Sequence, residues 1–354
     1  MQIANPENFE VEFLNDIIDI LNSKVLTVRG NEKICDMTDL EKRFLNGIIR
    51  QNKPKKILEL GVSAGGSSAI ILNAIKDIDN AKLYSIDYSD KWYLDNNKNS
   101  GFIISEKFPH LQNKWELYTG GVAAKFIEKI GAGIDICFLD TAHRNPGEFL
   151  DLLMVLPYIN KGGIIILHDT IFHVYNMDSN DYTNGIIFAC LNGKKYIIKK
   201  DKERPELDNS GNIGAVILDD NIMDRIYDYF HLLTFHWAYM PTDEDIEYIN
   251  KLFYKNYNKN LIELFDSIVK RNKSIFKAMA NNEKSEIDFD ATIYERFDRL
   301  LNSIAWWIPI RKWRDNFRNK ILYGDNKPFD KFIGGGGNNG LKFIYPLYFS
   351  LNLE

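Results

Sequence analysis

Lys55-Lys56-Ile57-Leu58-Glu59-Leu60-Gly61-Val62-Ser63-Ala64-Gly65-Gly66-Ser67-Ser68 is the stretch that decides the fold. It predicts a short buried strand from Lys56 to Leu60, a glycine-bearing turn, and a helix opened by Ser67. That order sets backbone N–H groups and a helix N-terminus at the carboxyl end of a parallel sheet, where open α/β folds bind ligands. The turn is a candidate cofactor cradle, with Gly61, Ser63, Gly65 and Ser67 as its contact residues.

The spacing narrows the cofactor. The glycines fall as Gly61-x-x-x-Gly65-Gly66, whereas close approach to a pyrophosphate at two points calls for Gly-x-Gly-x-x-Gly. No lysine follows Gly65 until Lys76, so a phosphate loop for ATP is disfavoured as well. Glu59, just before the turn, would repel a phosphate and suits a ligand with an ammonium group; S-adenosylmethionine carries an ammonium and a sulfonium. Lys82-Leu83-Tyr84-Ser85-Ile86-Asp87 reads as a second strand ending in an acid placed to accept hydrogen bonds from ribose hydroxyls. Asp87 is the expected ribose ligand, and a cap on the neighbouring turn is its plainer alternative.

The strongest chemical segment is Ile134-Asp135-Ile136-Cys137-Phe138-Leu139-Asp140-Thr141-Ala142-His143. After the amphipathic helix Pro146–Leu156, a second apolar strand, Ile164–Leu167, ends in His168-Asp169-Thr170. Adjacent parallel strands finish at one sheet edge, so Asp140, His168 and Asp169 are expected to converge beside the cofactor's methyl group. Two carboxylates and an imidazole in a pocket need a compensating charge, which a divalent cation supplies. That donor set suits Mg²⁺ first, then Mn²⁺ or Fe²⁺, better than structural zinc. His143 is read as the general base for the acceptor hydroxyl, or as the group that orients Asp140.

On these motifs the chain, over roughly residues 50–220, resembles the class I S-adenosylmethionine-dependent methyltransferases, whose first motif is an acid followed by Gly-x-x-x-Gly. It is similar in particular to the branch with catechol O-methyltransferase and the metal-dependent O-methyltransferases of sugars and natural products. Their turn also ends in Gly-x-Ser, as Gly65-Gly66-Ser67 does. The resemblance implies an α/β, doubly wound, seven-stranded Rossmann-like sheet closed by an antiparallel hairpin. It implies Asp87 on the ribose, the turn at Gly120–Val122 on the adenine, and Asp140 at the edge of both cofactor and metal. In that branch an acid after strand four and an acidic pair after strand five hold the ion, matching Asp140 and His168-Asp169; the chain departs by having histidine for one acid and Thr170 after the pair. Where catechol methyltransferase has a lysine base, this chain places His143. The implied reaction is methyl transfer to a hydroxyl of a vicinal diol, in a sugar or a catechol.

Outside that core the sequence is read more coarsely. The 354 residues divide as 1–50, N-terminal helices; 51–220, the cofactor domain; and 221–354, a mainly helical extension. Phe9, Phe13, Ile17 and Ile20/Leu21 predict an amphipathic helix over residues 8–22, and Thr38-x-x-Glu41 a capping box opening the next one. Residues 88–114 read as a long loop, a lid or substrate wall, and Val122–Ile130 as a helix. Ile186–Leu191, Tyr196–Lys200 and Ile213–Asp219 predict the terminal hairpin and the element before it; His173 and Tyr175 are expected near the acceptor. The helices of 221–302 are expected to pack on the core, cover the acceptor site or make a homo-oligomer contact.

The segment 304–321, with Trp306, Trp307, Trp313, Arg311, Arg314 and Arg318, has the profile of an interfacial membrane helix, and equally of an ordinary helix docking its aromatic stripe. Its Trp-Trp-Ile-Pro-Ile-Arg-Lys-Trp-Arg run is similar to tails of bacterial enzymes of surface-glycan assembly. A net charge of −5 gives no basic field for nucleic acid. Three cysteines without metal spacing, Cys35, Cys137 and Cys190, read as buried thiols; with no signal-peptide pattern, they predict a cytoplasmic protein, with peripheral contact at the inner membrane face through 304–321. The expected function is therefore metal-assisted O-methyl transfer. Its alternatives are a metal-independent methyltransferase and a non-catalytic scaffold subunit.

Overall fold

The computed structural model describes residues 5–27, 30–171 and 182–282. The chain divides into two compact units, Met1–Ser274 and Ile275–Glu354; of the second, only 275–282, the end of a helix, is described. His173, Tyr175 and the segment 304–321 lie outside the described residues.

One seven-stranded sheet organises the first unit. Its strands are β1 Lys56–Leu60, β2 Lys82–Asp87, β3 Trp115–Thr119, β4 Ile134–Leu139, β5 Ile159–His168, β6 Gly193–Ile197 and β7 Ile213–Leu218. Their spatial order is β6-β7-β5-β4-β1-β2-β3. β3, β2, β1, β4 and β5 are parallel, whereas β7 runs antiparallel between β5 and β6. The central strands are apolar on both faces because both are covered: Ile57, Leu58, Phe138, Leu139, Ile165 and Ile166 are fully buried. Connections reverse direction between β1 and β4, the place where such sheets open a crevice.

Register makes the strand tips flush. Leu60 pairs with Ile86 on one side and Leu139 on the other, and Leu139 pairs with Leu167. Gly61, Asp87, Asp140 and His168 therefore leave the sheet at one level.

The helices that bear on the site are α1 Asp39–Asn52, α2 Gly66–Ala74, α3 Gly147–Val155, α4 Thr183–Cys190, α5 Ile226–Leu232, α6 Asp243–Asn256 and α7 Lys259–Asn282. α1 begins at the expected capping box, in which Glu41 N–H donates to Thr38 Oγ1 (3.2 Å) and Thr38 N–H to Glu41 Oε2 (2.8 Å). It ends at Lys53, in left-handed conformation before Pro54. Phe44, Leu45, Ile48 and Ile49 carry its apolar stripe into the core, each worth roughly 2 kcal/mol of burial. The sheet ends near residue 220, yet the compact unit continues to Ser274. Phe230, Phe253, Tyr257 and Phe265 join α5, α6 and α7 to one another through edge and tilted ring contacts of 4.9–5.3 Å.

Several expectations are corrected. Residues 8–22 form two 3-10 turns, Pro6–Asn8 and Val11–Leu14, and one short helix, Ile18–Leu21, instead of a continuous helix. Tertiary bonds override the period: Glu10 is left-handed (φ 44), its carboxylate accepts from Arg50 Nε (2.6 Å), and its carbonyl accepts from Asn46 (3.0 Å). Residues 88–114 hold a hairpin, Lys91–Trp92 with Asp95–Asn99, and a helix, Phe102–Lys107. Val122–Ile130 is split into Ala123–Lys125 and Ile127–Ile130. Cys190 is exposed, while Cys35 and Cys137 are buried as expected.

Candidate active site

The glycine turn is built by close approach. A β-carbon on Gly61 (φ +88) would lie 1.8 Å from the Asp140 carbonyl oxygen, so only glycine lets the turn pass the tip of β4. Gly65 (φ +103) stands at the N-cap of α2. Asp87 braces the turn from the next strand: its Oδ2 accepts from the N–H groups of Val62 (2.9 Å) and Ser63 (3.0 Å), and its Oδ1 from Ser89 (2.9 Å). The capping role is thus present. A carboxylate offers about four acceptor positions, and Asp87 also lines the cavity described below.

Glu59 is not where a cofactor ligand would be. It is fully buried behind the turn, and its oxygens accept from Ser67 (2.6 Å), Ser68 (2.7 Å) and Ser85 (2.6 Å). Burial pushes its carboxyl up to about 7 against the pull of the three hydroxyls. Glu59 ties β1, β2 and the start of α2 together, which corrects the expected contact with a cofactor ammonium. Of the Gly120–Val122 turn, Gly121 and Val122 line the cavity together with Ala123, and Gly120 is not part of that wall.

A cavity of about 1050 Å³ opens over the strand tips. Gly61, Val62 and Ser63, Asp87 and Tyr88, Asp140 to His143, and His168 and Asp169 all face it. That volume is at the upper end for small-molecule sites. The tips neither diverge nor are plugged.

Asp140, His143 and Asp169 converge on that wall. His143 Nε2 lies 3.3 Å from Asp169 Oδ2 and 3.7 Å from Asp140 Oδ1. One donor atom from each of the three falls within 4.8 Å of the others, a set able to hold a metal ion. His168 stands behind them, 5% exposed, with Nδ1 at 3.4 Å from Asp140 and 3.5 Å from Asp169. Its Nε2 faces Glu41 Oε2 at 3.4 Å. The candidate donor set holds His143, read from the sequence as base or as the group orienting Asp140, and not His168, whose Nδ1 nonetheless lies against both aspartates. The backbone explains this. Asp169 (φ 54) and His143 (φ 57) are both left-handed, as is Ser63 (φ 54), so each of the three loops holds a strained non-glycine residue at the site.

The charges are mutually set. Burial alone would depress His168, but the Asp169 and Asp140 carboxylates hold it well above its ordinary value. Burial would raise Asp169, yet His168, His143 and the Asn212 amide hold it far below the carboxylate range. Glu41, against the same burial effect, is brought down to about 2 by His168 and by Arg204, whose guanidinium donates to it at 2.8 and 3.1 Å. His143 is raised by Asp140, Asp169 and Glu148 over an opposing burial effect.

Sequence reasoning missed Glu41, Glu148, Arg204 and Asn212. Glu148 is fully buried under His143, which it meets at 3.7 Å from Nδ1, and is held by Thr183 Oγ1 (2.7 Å). Asn212 fixes Asp169 from β7's approach, and its Oδ1 accepts from Ile171 N–H (3.0 Å). Only Glu41 carried a signal, the capping box, and that signal spoke of a helix end.

Residues 58–170 match the family described as "Methyltransferase domain". No curated protein matches the chain. Among solved structures it is similar to the O-methyltransferase TomG of Streptomyces achromogenes in complex with SAM, at 15% identity and a TM-score of 0.40 over 51% of this chain and 81% of that one. An O-methyltransferase from Bacillus cereus in complex with SAH gives 17%, 0.41, 58% and 90%. SAH-bound PaMTH1 of Podospora anserina gives 16%, 0.39, 52% and 80%. The sheet order, the acid-and-glycine turn and the matched domain identify residues 58–170 as the core of a class I S-adenosylmethionine-dependent methyltransferase.

Proposed function

We propose that the protein is an O-methyltransferase assisted by a divalent cation and acting on a vicinal-diol acceptor, with a sugar as the favoured class. The observation that supports this is the meeting of Asp140, His143 and Asp169 on the wall of the cavity that the Gly61 turn also lines. S-adenosylmethionine, when bound, supplies an already activated methyl group. A cation held by the three side chains would supply charge that orients two neighbouring oxygens and lowers a hydroxyl pKa.

The protein's own contribution is alignment and exclusion of water. The Gly61–Ser63 backbone and Asp87 present the nucleoside cradle. Asn212 and His168 hold Asp169, and Glu148 faces Nδ1 of His143, the usual device for orienting a ligating imidazole. Because Nε2 is the nitrogen facing both aspartates, ligation and proton abstraction fall on the same atom. The gathered donor set favours ligation. Carboxylates outnumber Lys33, Lys91 and Arg204 on the cavity wall, and Arg204 is taken up by Glu41, which favours an uncharged acceptor. The surface-glycan setting rests on the Trp306–Arg314 tail and enters here only as a choice of test substrates.

A second reading, metal-independent transfer with His143 as base, is favoured by one observation: His168 Nδ1 lies 3.4 and 3.5 Å from the two aspartates, where an imidazolium would offset part of their charge. Transfer of a labelled methyl group to a sugar diol, a catechol, a glycan fragment and a single alcohol, with Mg²⁺, Mn²⁺, Fe²⁺ or a chelator, separates the two. The expectation is diol methylation abolished by chelation and restored by one of the ions. Undiminished turnover in chelator selects the second reading, and failure to bind S-adenosylmethionine removes both.

A further inference from the structure

Residues 236–245 belong neither to the sheet nor to the matched stretch 58–170, yet Tyr239, Met240, Pro241, Thr242 and Asp245 line the same cavity as the strand tips. Three attachments fix the segment there. Ala238 N–H donates to the Asn145 carbonyl (2.7 Å), and Asn145 Nδ2 to the His236 carbonyl (2.8 Å), tying it to the loop that carries His143. The Tyr239 hydroxyl packs so closely on the start of α3 that a β-carbon on Gly147 would lie 2.9 Å from it. At the other end Asp245 Oδ2 accepts from the hydroxyl of Tyr88 (3.1 Å), the residue next to Asp87, and from Thr242 Oγ1 (2.6 Å). α6, which begins there, also packs on the Ala123–Lys125 turn beside Gly121 and Val122.

The segment therefore reaches the loops after β2, β3 and β4. The attachment to the β4 loop is largely backbone; that to the β2 loop is one hydrogen bond from a tyrosine 59% exposed. We propose that residues 239–245 form a wall of the cofactor's nucleoside pocket, held closed by the Tyr88–Asp245 hydrogen bond, with both residues acting as positioning residues. The ligand class is a purine nucleoside carried by a sulfonium or thioether. The inference rests on the methyltransferase reading above and adds to it a pocket wall supplied by the extension. A neutral–charged hydrogen bond that closes only when both partners are present holds a ligand mainly by slowing its escape.

The test uses the full chain and S-adenosylhomocysteine as probe, followed by calorimetry and stopped-flow dissociation. Tyr88→Phe removes only the hydroxyl, and Asp245→Asn keeps a side chain able to cap α6. Each variant is expected to raise Kd about five- to tenfold through faster dissociation. Each is also expected to raise KM for S-adenosylmethionine with kcat unchanged, and to leave the ligand-free Tm within about a degree. The double variant is expected to be no worse than either single one. Wild-type dissociation rates in both variants, or losses that simply add, would overturn the latch. Wild-type protein that does not bind the probe overturns the methyltransferase reading, and the latch with it.

Discussion

The cofactor cradle and the Asp140–His143–Asp169 cluster share one cavity but are assembled in opposite ways. The cradle is local: a strand, its turn and the next helix, braced by a single acid from the adjacent strand. The cluster is gathered from afar, with Glu41 on α1, Arg204 and Asn212 before β7, and Glu148 on α3 holding the groups that face the cavity. Their buried acids differ in sign as well. Glu59 keeps its proton up to about 7, whereas Glu41 gives its proton up at about 2. Two buried acids with opposite proton preferences thus lie behind one sheet edge.

The contrast can be broken most severely at Asp140. Asp140→Asn is expected to bind S-adenosylmethionine as the wild type does and to lose turnover on the order of a thousandfold, the several kcal/mol of charge stabilisation such sites supply. Calorimetry beside a methyl-transfer assay checks it; equal loss of both would mean the two halves are not separable.

Next in size is the pH dependence of stability. Glu41 is depressed from an ordinary 4.5 to about 2, so it stabilises the fold above pH 4.5, and that stability is lost as pH falls toward 2. Glu59 is raised from 4.5 to about 7, so the folded state keeps a proton the unfolded chain releases, and stability drains as pH rises from 4.5 to 7. Each slope is worth roughly 3 kcal/mol across its window. In urea titrations between pH 3 and 8, Glu41→Gln is expected to flatten the acid limb and Glu59→Gln the neutral one; identical profiles would erase the distinction.

A smaller effect sharpens the roles of the two histidines. His143→Ala is expected to abolish measurable Mn²⁺ binding, and His168→Ala to weaken it about 10–100-fold, as loss of a supporting group does. The reverse ranking would return His168 to the donor set. Smallest is Thr38→Ala, expected to cost about 1 kcal/mol of stability through the lost cap. Because Thr38 Oγ1 also donates to Asp201 (2.6 Å) beside Arg204, it is also expected to lower turnover modestly, which no comparable cap elsewhere should do.

How much the sequence disclosed follows the same division. β1 and β2 have the bounds read from a buried run before a glycine turn and a strand ending in an acid, because each is a local pattern. The tips of β4 and β5 follow from strand ends too, so Asp140 and Asp169 were within reach. What failed was orientation. Both histidines line the cavity; which of them joins the donor set depends on left-handed backbone at His143 and Asp169, and on an acid 127 residues from His168. Glu59 misled for a related reason: its charge suggested a cationic ligand, while three serines from two neighbouring segments had already claimed it.

The passage of Gly61 against the Asp140 carbonyl leaves no clearance between the donor's cradle and the acceptor's loop. Nothing bulkier than hydrogen fits in that seam, so the distance between the two reactants is not a quantity that single substitutions there can adjust. A lineage of such enzymes would have to acquire new acceptors by reshaping distant walls, around Met37 or Arg204, while the seam itself stays out of play.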